Sequence, residues 1–169
     1  DTIIDSIREL KNERDIQFMF AGHGNKMETL KNIIQKERLD NVTVFDFLHG
    51  QDFQDALNIS DCFIVSLAKG LTGLAVPSKT YSYMMAGKPV IALIGKESDI
   101  ARDLNEYNAG FTMEPGETMK MVNAIRELLQ NKEKRESMGE KCRTIFLKKY
   151  TKEVNTKKYV NMMQKVVGD

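Results

Sequence analysis

Apolar residues recur with a helical period at Ile3, Ile4, Ile7 and Leu10, so the chain opens on a helix with no strand before it. Residues 16–21, Ile-Gln-Phe-Met-Phe-Ala, form a short apolar run that predicts a buried strand, ended by Gly22-His23-Gly24-Asn25. Met27, Leu30, Ile33 and Ile34 then share one face of a helix over about residues 26–37. The alternation continues with strands over 42–45, 61–66, 89–94 and 110–113, and helices over about 52–59, 78–85 and 98–106. Gly87 follows the helix over 78–85 at the place where a helix C-terminus favours glycine. A loop over 67–77 leads into that helix, and Glu114-Pro115-Gly116 is a turn. From about Glu117 onward the pattern is helical, interrupted near Asn131 and near Tyr150-Thr151.

Short strands that are apolar on both faces and alternate with helices make a mainly parallel sheet covered by helices. No repeat, low-complexity tract or linker breaks the chain. The pattern therefore predicts one doubly wound α/β domain with a helical C-terminal tail.

Composition narrows the function classes. At 169 residues, with 41% apolar and 29% charged residues, the chain can bury a real core. Lys plus Arg (25) nearly cancels Asp plus Glu (24), which argues against a dedicated nucleic-acid binder. No apolar stretch approaches the ~20 residues that span a bilayer as a helix. Cys62 and Cys142 lie far apart without metal-ligand spacing, and a reduced, cytosolic chain is the simple reading. The opening Asp1-Thr2-Ile3-Ile4 has no initiator Met and no signal-peptide pattern, so the expectation is a piece of a longer protein.

In an open parallel sheet, ligands bind beyond the carboxyl ends of the strands. Four segments leave those ends: Gly22-His23-Gly24, Phe47-Leu48-His49-Gly50, the loop from Ser66 to Pro77, and Gly95-Lys96-Glu97-Ser98. Gly22-His23-Gly24 lets backbone approach a ligand and feeds a helix start, yet it lacks the full dinucleotide fingerprint and also serves as a plain turn. Phe47 and His49 offer an aromatic surface and an imidazole that can border a nucleobase; the bland alternative is a surface histidine. The stretch Lys69 to Lys79 carries two glycines, a proline and two lysines between a strand and a helix. Ser78 is expected to cap that helix and leave outward amides as an anion site, with Lys79 adding a mobile positive charge. A flexible loop with solvated lysines is the competing reading. Ser66, Ser78 and Ser82 lack a nucleophile elbow, two histidines without metal spacing give no metal site, and the Walker lysine motif is absent. The ten methionines read as core filler. Between Lys132 and Lys158, ten Lys/Arg stand against four Glu, a solvated helix surface or, less simply, a contact for anionic lipid headgroups.

The run Gly73-Leu74-Ala75-Val76-Pro77-Ser78-Lys79-Thr80-Tyr81-Ser82-Tyr83-Met84-Met85-Ala86-Gly87-Lys88-Pro89-Val90-Ile91-Ala92 resembles the donor-site segment of group 1 (family 4) retaining glycosyltransferases. Within them it is similar to a Pro-Ser-Lys subgroup of bacterial surface-polysaccharide assembly, such as the fucosamine transferases. Phe20-Ala21-Gly22-His23-Gly24, residues 41–45 and 60–65, Asn108-Ala109-Gly110-Phe111 and Glu114-Pro115-Gly116 resemble the family's flanking features in the same order.

The resemblance implies a Rossmann-like domain forming the C-terminal half of a GT-B fold. It implies that this half binds a nucleoside-diphosphate sugar, UDP-linked, with no further cofactor and no metal. The N-terminal acceptor domain and the domain's own first strand would lie upstream, and residues 151–167 would form a helix crossing back to that missing domain. Gly22, His23 and Gly24 match the loop near the diphosphate and sugar; Phe47, Leu48, His49 and Gly50 match the loop receiving the base, largely through backbone contacts. Pro77, Ser78 and Lys79 match the segment at the helix that faces the diphosphate, and Gly73 and Val76 are implied as further donor-binding positions. Where the family usually has two glutamates eight residues apart, the second bonding the ribose hydroxyls, this chain has Leu74 and Ser82. The implied reaction is sugar transfer to a hydroxyl acceptor, lipid-linked or saccharide, by a cytoplasmic protein that sits peripherally on the inner membrane face when full-length. No catalytic residue is identified, and the segment alone would bind donor without turnover. The alternatives are a degenerate nucleotide-binding scaffold and a nucleotide-sugar 2-epimerase.

Overall fold

The computed structural model describes residues 1–24 and 26–168. Asn25, the last residue of the turn expected after the first strand, and Asp169 lie outside the described residues. Each expected strand and helix is present, with small shifts at the ends. The chain falls into two compact units, Asp1–Ser60 with Pro115–Lys132, and Asp61–Glu114 with the residues from Glu133 onward.

The first unit contains α1 (Thr2–Leu10), β1 (Phe18–Ala21), α2 (Met27–Glu37), β2 (Val42–Phe45), α3 (Gly50–Ile59) and α6 (Thr118–Gln130). β1 and β2 run parallel, in register from Phe18 opposite Val42 to Ala21 opposite Phe45. The strand begins at Phe18 and not at Ile16 because the Ile16 amide donates to the Glu13 carbonyl in a turn, whereas the Phe18 amide reaches Asn41. Helices α1 and α6 pack together, with Ile7 and Leu10 buried on one and Met121, Val122 and Leu128 on the other. Thr2 Oγ1 accepts from the Gly116 amide at 2.7 Å, and the Ser6 hydroxyl donates to the Thr2 carbonyl at 2.9 Å. Arg8 bridges Asp5 and Glu37 at 2.7 and 2.6 Å, tying α1 to the last turn of α2.

The second unit contains β3 (Phe63–Ser66), α4 (Lys79–Met85), β4 (Val90–Leu93), α5 (Asp99–Tyr107), β5 (Gly110–Met113), nearly all of α7 (Lys132–Ile145), a π-helical stretch Phe146–Tyr150, and α8 (Lys152–Val167). Its strands form a parallel ladder in the order β3-β4-β5. Thus the parallel strands expected from the sequence hydrogen-bond as two separate ladders, one in each unit. All four residues of β4 are buried, as a central strand covered on both faces requires. Each Val, Ile or Leu there contributes about 1.5–3 kcal/mol on burial. Gly110 lies so close to the Val90 backbone that no side chain fits. Ser98 caps α5 by accepting from the Ala101 amide at 3.0 Å, and Asn108 ends that helix in the left-handed conformation, which asparagine tolerates. Burial pushes the Cys142 thiol up to about 12, and its Sγ donates to the Ala109 carbonyl at 3.1 Å.

Candidate functional site

In the first unit, the ends of β1 and β2 bring His23, Phe47 and His49 together. The His23 and Phe47 rings lie nearly parallel, 6.1 Å apart with 14° between their planes, and the Phe47 and His49 rings are 4.4 Å apart. Phe47 is 53% exposed, and both imidazoles are exposed with it. An exposed aromatic file at strand carboxyl ends offers π-faces to a flat ligand. Gly22 allows the chain to turn there: its φ of +132° suits glycine alone, and nothing crowds its vacant side-chain position. Gly24 is exposed beside His23, and its vacant position is equally open. Leu48 is half-buried and sits between the two exposed rings in sequence, while His49 is extended immediately before α3.

In the second unit, the loop after β3 folds into successive turns closed by Leu71 N to Ala68 O (3.1 Å) and by Leu74 N to Leu71 O (3.0 Å). Gly73 sits in this loop at φ +82°. Leu74 and Val76 are largely exposed, Pro77 and Ser82 are half-buried, and Ser78 and Lys79 are exposed. The Lys79 ammonium is thus free to meet an anion from solvent.

The expected cap is not formed. Ser78 is in the right-handed helical conformation and makes no side-chain cap bond. The amides it would serve are already taken, Thr80 N by Pro77 O at 2.9 Å and Tyr81 N by Ser78 O at 3.2 Å. A cap serine needs extended backbone to swing its oxygen toward these amides, and Pro77 leads the chain directly into a helical turn here. Helix α4 also has only seven residues, so its dipole is small. Positive charge at this end comes from Lys79.

Two further features carried no clear signal in the sequence. A side chain on Gly95 would collide with the Thr72 hydroxyl and the Glu97 carboxylate, each 2.6 Å away, so both polar groups crowd the carboxyl end of β4. Asp103, only 7% exposed, accepts from Lys149 Nζ at 2.6 Å and from the Tyr150 hydroxyl at 2.5 Å. Asp103 raises the pKa of both donors; for Tyr150 burial is the larger cause. A π-helical insertion shifts helical phase without changing residue type, and apolar periodicity therefore does not reveal it.

Among the described residues, no group of three or more His, Cys, Asp or Glu side chains is placed to hold a metal ion. Among them, too, no helix is long and apolar enough to cross a membrane.

The chain is 25% identical over its whole length to the probable glycosyltransferase WbjE of Pseudomonas aeruginosa, spanning 42% of that protein. A glycosyltransferase from Rickettsia africae superimposes with a TM-score of 0.79 at 17% identity, over 99% of this chain and 44% of that one. A TarM mutant from S. aureus, solved with fondaparinux, alpha-GlcNAc-glycerol and UDP, superimposes with a TM-score of 0.77 at 20% identity, over 94% of this chain and 31% of that one. The chain therefore spans less than half the length of these relatives, and its mixed α/β fold with parallel ladders corresponds to the C-terminal half of GT-B glycosyltransferases. Residues 1–144 match the family described as "Glycosyl transferases group 1", and the chain belongs to that family.

Proposed function

We propose that this chain is the donor-binding part of a retaining glycosyltransferase that takes a sugar from a nucleoside-diphosphate sugar, UDP-linked, and passes it to a hydroxyl acceptor. The observation that carries this reading is the exposed His23–Phe47–His49 file at strand carboxyl ends in a group 1 glycosyl transferase chain. UDP in the solved TarM structure supports the choice of nucleotide.

In this reading the base stands against Phe47 and His49, with the backbone around Leu48 bonding its edge. Gly22, His23 and Gly24 border the diphosphate and sugar. Gly73, Val76, Pro77, Ser78 and Lys79 face the diphosphate, and Ser82 meets the ribose. Lys79 stabilises negative charge that grows on the leaving diphosphate as the glycosidic bond breaks, a role that lowers the barrier without a metal. Holding the donor fixed supplies the remaining share through orientation.

The acceptor, lipid-linked or saccharide, belongs to a further domain of a longer protein, and α8 is the segment that crosses to it. The reading places that protein in bacterial surface-polysaccharide or glycoconjugate synthesis, in the Pro-Ser-Lys subgroup, on the cytoplasmic side of the membrane. Calorimetric titration with UDP tests the donor half of this account: saturable binding at or below about millimolar ligand is expected, and its absence overturns it. In a longer polypeptide carrying this segment, NMR of the freshly formed product reports whether the anomeric configuration of the donor is kept.

A further inference from the structure

We propose that Tyr150, held by Asp103, is a positioning residue for the segment Ser78–Ser82, setting how that segment meets the donor. The proposal rests on the donor-binding reading above.

Asp103 lies on α5 and is nearly buried, and consecutive residues of one helical stretch occupy its two carboxylate oxygens. Lys149 takes Oδ1 and Tyr150 takes Oδ2. In a regular α-helix adjacent side chains diverge by about 100°, which works against their converging on one carboxylate. Here the stretch Phe146–Tyr150 is π-helical, a rare conformation that costs helix stability and recurs at functional sites. Thr151 then restarts the α-helix by accepting from the Val154 amide at 3.3 Å. The π-turn thus places the Tyr150 ring 4.7 Å from that of Tyr81, inclined by 48°.

Tyr81 is the third residue of α4, directly between Lys79 and Ser82. That helix has little to fix it locally. It is seven residues long, Ser78 does not cap it, and the buried Thr80 hydroxyl finds no partner. Its placement comes from buried and stacked side chains: Thr80 and Met84 in the interior, Tyr83 stacked on Phe63 at 4.0 Å, and Tyr81 against Tyr150. Tyr83 and Met84 fix the C-terminal half, and Tyr81 is the aromatic contact of the half that carries Lys79. The Asp103–Tyr150 bond holds the ring that Tyr81 leans on, so its loss frees that half to shift while the core stays packed.

The test compares UDP dissociation constants, thermal midpoints and backbone amide shifts for the wild type, Tyr150→Phe, Asp103→Ala and Asp103→Asn. Tyr150→Phe keeps the ring and loses the hydroxyl; it is expected to raise the dissociation constant about fivefold and to move the Ser78 and Lys79 amides. Asp103→Ala should match it, and Asp103→Asn, which keeps an acceptor oxygen for the phenol, should restore binding to within about twofold. A purely structural role lowers the thermal midpoint but leaves the affinity of the folded protein and those amides unchanged, and that result overturns the proposal. A wild type that binds no UDP removes the donor-binding reading and this proposal together, whereas equal binding by wild type and all variants overturns only the positioning role.

Discussion

The backbone of Gly139 in α7 packs directly against the carbonyl of Gly87, with no space between them for a side chain. Gly87 ends the turn after α4 at φ +70°, so both partners of this contact must be glycine, one for space and one for conformation. Gly139→Ala forces backbone apart in the buried part of the second unit. Such overpacking costs about 1–3 kcal/mol, which urea denaturation should report as a lower midpoint with an unchanged slope.

Phe47 gives the donor account its sharpest side-chain test. More than half exposed, it contributes little to folding, so Phe47→Ala should leave the thermal midpoint nearly unchanged. Loss of base stacking should weaken UDP binding roughly tenfold, measured by calorimetry. Equal affinity in the variant would remove the aromatic file from the site.

In the donor-binding reading, Ser82 takes the place of a glutamate that would bond the ribose hydroxyls. A hydrogen bond to an ionised carboxylate is worth about 1 kcal/mol more than one to a neutral hydroxyl. Ser82→Glu should therefore tighten UDP binding by about fivefold. Weaker binding would mean that serine suits a different native nucleotide or sugar, and a parallel titration with GDP and ADP reads that directly.

The Arg8–Glu37 pair makes a pH prediction. Its side-chain bond to Arg8 holds the Glu37 carboxyl below its ordinary value of 4.5. A carboxyl depressed in the folded state stabilises that state above the unfolded value, and the contribution is lost as pH falls through the folded value. Wild-type stability should thus decline below pH 4.5, and Glu37→Gln should make that acid limb shallower. Both partners are exposed enough for salt to reduce the difference, so thermal midpoints at low and high ionic strength check the assignment.

Much of the fold was legible because its signals are local. Val90 to Leu93 is an uninterrupted apolar run, Gly87 marks a helix end, and the α1 apolar residues keep a 3.6-residue period. The loops bearing Phe47, His49 and Lys79 followed from that alternation, since each leaves the carboxyl end of a strand and leads into the next helix. Ser78 misled because cap preference depends on backbone conformation as well as residue type, and Ser98 is the serine with the extended backbone a cap needs. Asp103, Lys149 and Tyr150 stand up to 47 positions apart and meet at a π-turn, which leaves no periodic trace. Likewise, the pairing of the strands as two ladders is a matter of register between distant segments, and no single segment encodes it.

The most direct test of the account is a heteronuclear NMR titration of this chain with UDP, GDP, ADP and NAD, following the amides of Gly22, Gly24, Phe47, Ser78 and Lys79. The account predicts saturable shifts at all five with UDP, and weaker or absent ones with the other ligands. If none of these amides moves at millimolar UDP, or if the shifts cluster elsewhere, the assignment of these residues to a nucleotide-sugar donor is contradicted.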